Sequence, residues 1–179
     1  PAAVQDAVAV WDHLAYMGYG ARDIILAGDS AGGNLALELA LDLRDADRML
    51  PWRLVLFSPW TDMTASGESY TECRDQDPLL TMEYIEAVRG AFAPQADWSQ
   101  PAYSPLFADL RGLPPTLIQA GGREILRDDS TRLQQRMQEA GVPVVLQYWP
   151  EMWHVFQMFP LKTASEAMQK MAQYLEYLR

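Results

Sequence analysis

One hexapeptide constrains this chain more than any other feature: Gly28-Asp29-Ser30-Ala31-Gly32-Gly33. In front of it, Ile24-Ile25-Leu26-Ala27 is a short apolar run that reads as a buried strand. Behind it, Asn34-Leu35-Ala36-Leu37-Glu38-Leu39-Ala40-Leu41 reads as a helix. A serine on so sharp a strand-to-helix turn is driven into a strained backbone conformation, and only small neighbours fit around it. Gly28 and Gly32, flanking Asp29 and Ala31, are expected to supply that room. The helix start points free backbone N–H groups, Ala31 first among them, at any negative charge that develops near Ser30. Gly-x-Ser-x-Gly between a strand and a helix is a nucleophile elbow, which makes Ser30 the candidate nucleophile.

The rest of the chain alternates in the same way. Residues 3–17 place Val4, Ala7, Val8, Trp11, Leu14 and Ala15 at helical spacing. A strand follows at 23–28, and the helix after Ser30 is expected to end near Leu43 or Arg44. Leu54-Val55-Leu56-Phe57 is a second buried strand, stopped by Ser58-Pro59. Residues 60–112 are irregular and proline-bearing, with one helical stretch at 81–93. Thr116-Leu117-Ile118-Gln119-Ala120 is a third strand. Residues 128–140 form a helix with Leu133 and Met137 inward and Gly141 as its stop. Val144-Val145-Leu146-Gln147-Tyr148-Trp149 is a fourth strand. A final helix at 163–178 carries Ala167, Met168, Met171, Tyr174, Leu175 and Leu178 on its apolar side. Strands alternating with helices predict one α/β domain over 1–179, a mostly parallel sheet with helices on both faces.

Composition narrows the partners. A net charge of −10 argues against nucleic acid and anionic membrane surfaces. The single cysteine, Cys73, leaves no internal disulfide and no metal cluster, which fits a reducing, cytoplasmic compartment. No apolar run reaches transmembrane length.

A serine hydroxyl needs a base to take its proton, and the base needs an acid to orient it. On a strand–elbow–helix scaffold the chain order is serine, acid, histidine. Of the two histidines, His13 precedes the elbow on the polar side of the first helix and reads as a solvated surface residue. His154 follows the last strand, where the base belongs. The acid is sought after the third strand, in Gly121-Gly122-Arg123-Glu124-Ile125-Leu126-Arg127-Asp128-Asp129. Glu124 comes first and is favoured. Asp128 is the next choice, although it and Asp129 sit where carboxylates serve a helix start. Asp62, after the second strand, is the outside candidate.

Four segments together resemble the hormone-sensitive-lipase-type esterases of the α/β-hydrolase superfamily. They are Gly-Asp-Ser-Ala-Gly-Gly at 28–33, Ser58-Pro59-Trp60-Thr61-Asp62, Gly-x-x-Glu-x-Leu-x-Asp-Asp at 121–129, and His154-x-Phe156. Pro1-Ala2-Ala3-Val4-Gln5-Asp6-Ala7 resembles the stretch that follows the family's Tyr-Arg-Leu-Ala-Pro segment. The resemblance spans essentially the whole chain. Many relatives place Asp-Pro-Leu where this chain has Glu124-Ile125-Leu126, and the family position supports Glu124 as the acid.

The resemblance implies an α/β-hydrolase fold seen in its C-terminal portion, with 62–112 as a cap or lid insertion. It implies a serine carboxylesterase acting on a small-molecule ester of short to medium acyl chain, with no cofactor and no metal. Trp60, Leu80, Ile85, Trp153 and Phe156 are expected to line the substrate pocket. Relatives carry an upstream His-Gly-Gly segment whose N–H groups supply most of the oxyanion hole, and no His-Gly-Gly occurs here. Each lost donor costs about 100–1,000-fold in turnover. The expectation is therefore a piece of a longer protein. Taken alone it should be poorly active, lack its N-terminal strands, and self-associate through the apolar edge at 24–27. Amidase or peptidase action on the same residues, a non-catalytic ligand receptor, and an inactive fragment are the competing readings.

Overall fold

A computed structural model describes residues 2–177. Four parallel strands form one sheet in chain order: β1 (Ile25–Asp29), β2 (Arg53–Phe57), β3 (Thr116–Gly121) and β4 (Val144–Trp149). The register aligns Asp29 with Phe57, Phe57 with Gln119, and Gln119 with Gln147. The carboxyl ends of the strands therefore lie together along one edge of the sheet, where ligand sites of open α/β sheets form.

The crossovers are α1 (Ala2–Tyr16) leading into β1, α2 (Ala31–Asp45), α5 (Arg127–Glu139) and, after β4, α6 (Lys162–Tyr177). A long connection between β2 and β3 holds the one-turn α3 (Ser69–Glu72) and α4 (Met82–Phe92). Side chains alternate across the strands. Leu54, Leu56 and Ile118 face α2 and α5, packing with Ala36, Leu37, Leu133 and Met137. Gln119, next along β3, faces the other way and is wholly buried against α6, its Nε2 donating to the Ala167 carbonyl at 2.7 Å. Both faces of the central strands are thus covered, which explains their unbroken apolar runs.

Three expectations need correction. The run at 24–27 is not a buried strand. β1 runs Ile25–Asp29 at the edge of the sheet among the described residues, and Ile25 is 39% exposed. In α1, Trp11 is buried on Leu39 and Leu43 of α2 with Ala7 and Val8 packed beside it, and Val4 and Leu14 are half-buried, so the expected face holds except at Ala15, which is exposed at the end of the contact. In α6, Ala167 is buried and Met171, Tyr174 and Leu175 are half-buried as expected, but Met168 is exposed, and Ala164 extends the buried face toward the helix start. Leu178 and Pro1 lie outside the described residues.

Helix ends follow local chemistry. The Thr81 hydroxyl caps α4 by accepting the Tyr84 N–H at 3.2 Å. Gly141, with φ +72°, takes the left-handed conformation just beyond α5. No helix among the described residues is long and apolar enough to cross a membrane.

Candidate active site

Ser30 has φ +52° and ψ −120°, a conformation that L-residues rarely adopt. Its N–H donates to the Phe57 carbonyl at 2.9 Å, and its own carbonyl accepts from Trp60 N at 3.0 Å and Gly33 N at 3.0 Å. The strain is thus held by β2 and its exit loop on one side and by the first turn of α2 on the other. A Cβ on Gly28 would overlap the Gly32 carbonyl and stand 2.8 Å from Gly33 N. A Cβ on Gly33 would stand 2.7 Å from Pro59 Cβ, whereas one on Gly32 would stand 3.9 Å from its nearest neighbour. The steric demand therefore falls on Gly28 and Gly33, and the expectation for Gly32 is corrected: its backbone fills the space that Gly28 leaves. Gly28→Ala should destabilise the chain by about 2 kcal/mol, as forced overpacking does. That is a fall of roughly 4–8 °C in melting temperature for a domain of this size, and a thermal melt tests it.

His154 Nε2 lies 3.0 Å from Ser30 Oγ, and its Nδ1 lies 2.9 Å from Glu124 Oε2. The carboxylate is an acceptor, so Nδ1 carries the proton and donates it in a hydrogen bond to Glu124, which leaves Nε2 to accept from the serine hydroxyl. Glu124 is wholly buried, and its second oxygen accepts the Gly121 N–H at 2.8 Å. Its added methylene, relative to aspartate, is absorbed by folding the side chain back over the end of β3. Gly121 and Gly122 let the loop that leads to His154 pass close over the end of β3, since a Cβ on Gly121 would stand 2.7 Å from the Met152 carbonyl carbon and one on Gly122 2.7 Å from Pro150 Cα. Ala31 opens α2, so its N–H has no acceptor within the helix. His13 is exposed in the last turn of α1, far along the chain from these groups.

The competing carboxylates are engaged elsewhere. Asp128 Oδ2 accepts the Ser69 N–H at 2.9 Å, tying α3 to α5. Asp62 is buried and accepts from Thr64 and Ser66, with Arg132 Nη1 at 2.9 Å. Burial acts to raise the Asp62 pKa, but these hydrogen bonds outweigh it and hold the carboxyl below its usual range. Asp129 is wholly buried, and its Oδ2 accepts the N–H groups of Thr61 at 2.7 Å and Asp62 at 2.8 Å. Neither Asp128 nor Asp129 caps its own helix by a side chain; both hold loops of the β2–β3 connection.

Desolvation, helped by the charge of Asp62, pushes Asp129 up to about 8, although the two N–H groups pull it back. A carboxyl with a raised folded pKa favours the folded state fully below its unfolded value near 4. That contribution is lost as pH rises through about 8. Asp129→Asn removes the titration, so its melting temperature relative to wild type should climb as pH goes from 5 to 9. A constant difference across that range would mean that Asp129 is ionised throughout.

Asn34 went unnoticed in the sequence. Its Nδ2 donates to the carbonyls of Trp60 (2.9 Å) and Tyr103 (3.0 Å), lashing α2 to two distant points of the β2–β3 connection. A buried amide inside an otherwise apolar helical run was the available signal.

A cavity of about 590 Å³ opens beside Ala31 and Gly32, walled by Trp60, Met63, Val88, Phe92 and Tyr103. Of the expected pocket residues, Trp60 lies there. Leu80 and Ile85 instead pack in the core of the connection, with Tyr70, Ile125 and Leu126. Phe156 is wholly buried against Trp149, Ala164 and Ala167, and Trp153 packs on that same cluster. Leu80 and Ile85 fill the small core of the connection, and Phe156 and Trp153 fill the contact between the loop after β4 and α6.

A profile of the α/β-hydrolase fold family matches residues 1–158. An acetyl-hydrolase of Streptomyces hygroscopicus is 41% identical over 159 residues, 89% of this chain and 53% of that protein. An esterase of Acinetobacter venetianus is 40% identical, again over 89% of this chain and 53% of its own length. The crystal structure of an esterase from the bacterial hormone-sensitive lipase family superposes with a TM-score of 0.93 at 39% identity, covering 96% of this chain and 59% of the other. EstE5, crystallised and soaked with p-nitrophenyl butyrate, superposes with a TM-score of 0.93 at 34% identity over 98% of this chain and 60% of its own. The chain spans about half the length of the curated relatives it matches. On its sheet, its elbow and these likenesses, the chain belongs to the hormone-sensitive-lipase-type esterase family of α/β-hydrolase fold.

Proposed function

We infer that this chain carries the nucleophile, base and acid of a serine carboxylesterase. The observation that carries the reading is the unbroken relay from Ser30 Oγ through His154 to Glu124, at 3.0 and 2.9 Å. Ser30 Oγ attacks the ester carbonyl while His154 Nε2 takes its proton, and Glu124 steadies the imidazolium that forms. The carbonyl oxygen gains charge beside the Ala31 N–H at the start of α2. His154 returns the proton to the leaving alcohol, then draws a proton from water, which releases the acid from the acyl-enzyme and restores Ser30.

The apolar cavity beside Ala31 supports a short- to medium-chain acyl group. Val88 and Phe92 reach that cavity from α4, which supports a roofing role for the 62–112 insertion. That similar proteins are esterases favours an ester over an amide as the substrate.

The chain and its Ser30→Ala variant should be assayed with a fluorophosphonate probe and with p-nitrophenyl butyrate. Labelling and turnover that vanish in the variant support the reading. Equal labelling of both proteins would overturn it.

A further inference from the structure

The stretch that leaves β2, Phe57-Ser58-Pro59-Trp60, bonds the backbone of Ser30 and that of Val155, the residue after His154. The Phe57 carbonyl accepts the Ser30 N–H at 2.9 Å, and Trp60 N donates to the Ser30 carbonyl at 3.0 Å. Between those two contacts sits Ser58. It is wholly buried, and its hydroxyl oxygen accepts the N–H of Val155 at 3.1 Å. Val155 directly follows His154.

Two residues in this contact are strained. Ser58 has φ +46°, and Val155 has φ +46° with ψ +42°. The left-handed region suits glycine, and a β-branched residue there is an outlier that its surroundings must enforce. A buried hydroxyl also carries a desolvation cost unless it is bonded. Glycine at position 58 would avoid both costs. Serine fits because its oxygen meets the one N–H that fixes the peptide after His154. Ser58 is itself anchored, since its N–H donates to the Gln119 carbonyl at 2.8 Å.

Glu124 holds only the Nδ1 end of the imidazole. Where Nε2 points depends also on the His154 backbone, and that backbone is pinned through Val155. We propose that Ser58 is a positioning residue for the hydrolase reaction: its hydroxyl, from the segment that clamps Ser30, sets the Ser30–His154 distance. The inference rests on the serine-hydrolase reading of the site. Displacing a catalytic group by about 1 Å costs on the order of 100-fold, so loss of this contact should cost about 10- to 100-fold.

Ser58→Ala removes the hydroxyl and keeps the backbone strain, whereas Ser58→Gly removes the hydroxyl and relieves it. Each variant, once shown to melt cooperatively, is to be titrated with the fluorophosphonate probe. Expected in both is a 10- to 100-fold fall in the labelling rate at saturating probe, with the half-saturating concentration unchanged. The downfield Nδ1 proton resonance of His154, assigned by its absence in His154→Ala, should broaden or vanish in both.

A Ser58→Gly variant that labels at the wild-type rate overturns the proposal, because the backbone and not the hydroxyl would then matter. An unchanged rate and resonance in Ser58→Ala overturns it as well. If Ser58→Ala does not fold, Ser58→Cys, of similar shape and poor as an acceptor, is held to the same criteria. Should the wild-type chain resist the probe, the hydrolase reading fails separately. The His154 resonance then decides the positioning, its loss in the Ser58 variants supporting it and its persistence overturning it.

Discussion

Alanine at His154 is expected to reduce acylation of Ser30 by about a million-fold in the fully assembled site, down to the probe's background. The reason is chemical. At neutral pH the serine hydroxyl is almost wholly protonated, and His154 Nε2, 3.0 Å away, is the group placed to accept its proton. Asp128 and Asp129 bind backbone N–H groups of the β2–β3 connection instead. The double variant Ser30→Ala/His154→Ala should be no worse than either single change, because nucleophile and base act as one unit. Single-turnover labelling and p-nitrophenyl butyrate hydrolysis measure both points. A His154→Ala protein that is well folded and still labelled at a tenth of the wild-type rate would remove His154 from the mechanism.

Glu124→Ala should cost about 10⁴-fold in the same assays. Without the carboxylate, the Nδ1 proton loses its acceptor and the imidazole is free to take the wrong tautomer or turn away from Ser30. Glu124→Asp should recover part of the rate and not all of it. The glutamate reaches His154 by folding back on Gly121, and a shorter chain cannot keep both contacts. Asp128→Ala serves as the contrast. It severs a tie between α3 and α5, so its effect should be on melting temperature, with a residual labelling rate well above that of Glu124→Ala. The reverse ranking in folded proteins would move the acid from Glu124 to Asp128.

Much of this molecule was legible along the chain because its signals are local. The strands at 54–57, 116–120 and 144–149 announce themselves by apolar β-branched and leucine-rich runs between turn residues. Each stands within a residue of its place in the sheet. The elbow is legible for a different reason: strain at Ser30 requires glycine nearby, and glycine is visible in a sequence. Even so, Gly28→Gly32 is a backbone contact and Gly33→Pro59 a contact across 26 positions, so which glycine bears the demand is a tertiary matter. Helix faces were less legible. Met168 is at least as apolar as Ala167, yet Ala164 and Ala167 are the buried residues of α6 that share the cluster of Phe156, while Met168 is exposed.

The pocket was the least legible part. Leu80, Ile85 and Phe156 have the apolar character of pocket walls, and apolar character is also what a core requires. Nothing in their spacing separates the two: Leu80 and Phe156 lie outside regular α-helices and strands, and the apolar stripe of α4 that holds Ile85 serves a core as well as a pocket wall. Its fold is set by long-range polar ties: Asn34 to Trp60 and Tyr103, Asp129 to Thr61 and Asp62, Asp77 to Ile125.

By itself, the sequence determined the alternation of strand and helix, the strand–turn–helix at Ser30, and the placing of candidate carboxylates and His154 after the third and fourth strands. Each of these follows from neighbours along the chain, through periodicity, turn chemistry and backbone sterics. Only the tertiary structure decided which carboxylate meets His154, which glycines are obligatory, and which aromatic residues face the cavity. Those outcomes turn on which buried polar group finds a partner, and the partners stand 30 to 124 positions apart in the chain while lying about 3 Å apart in space.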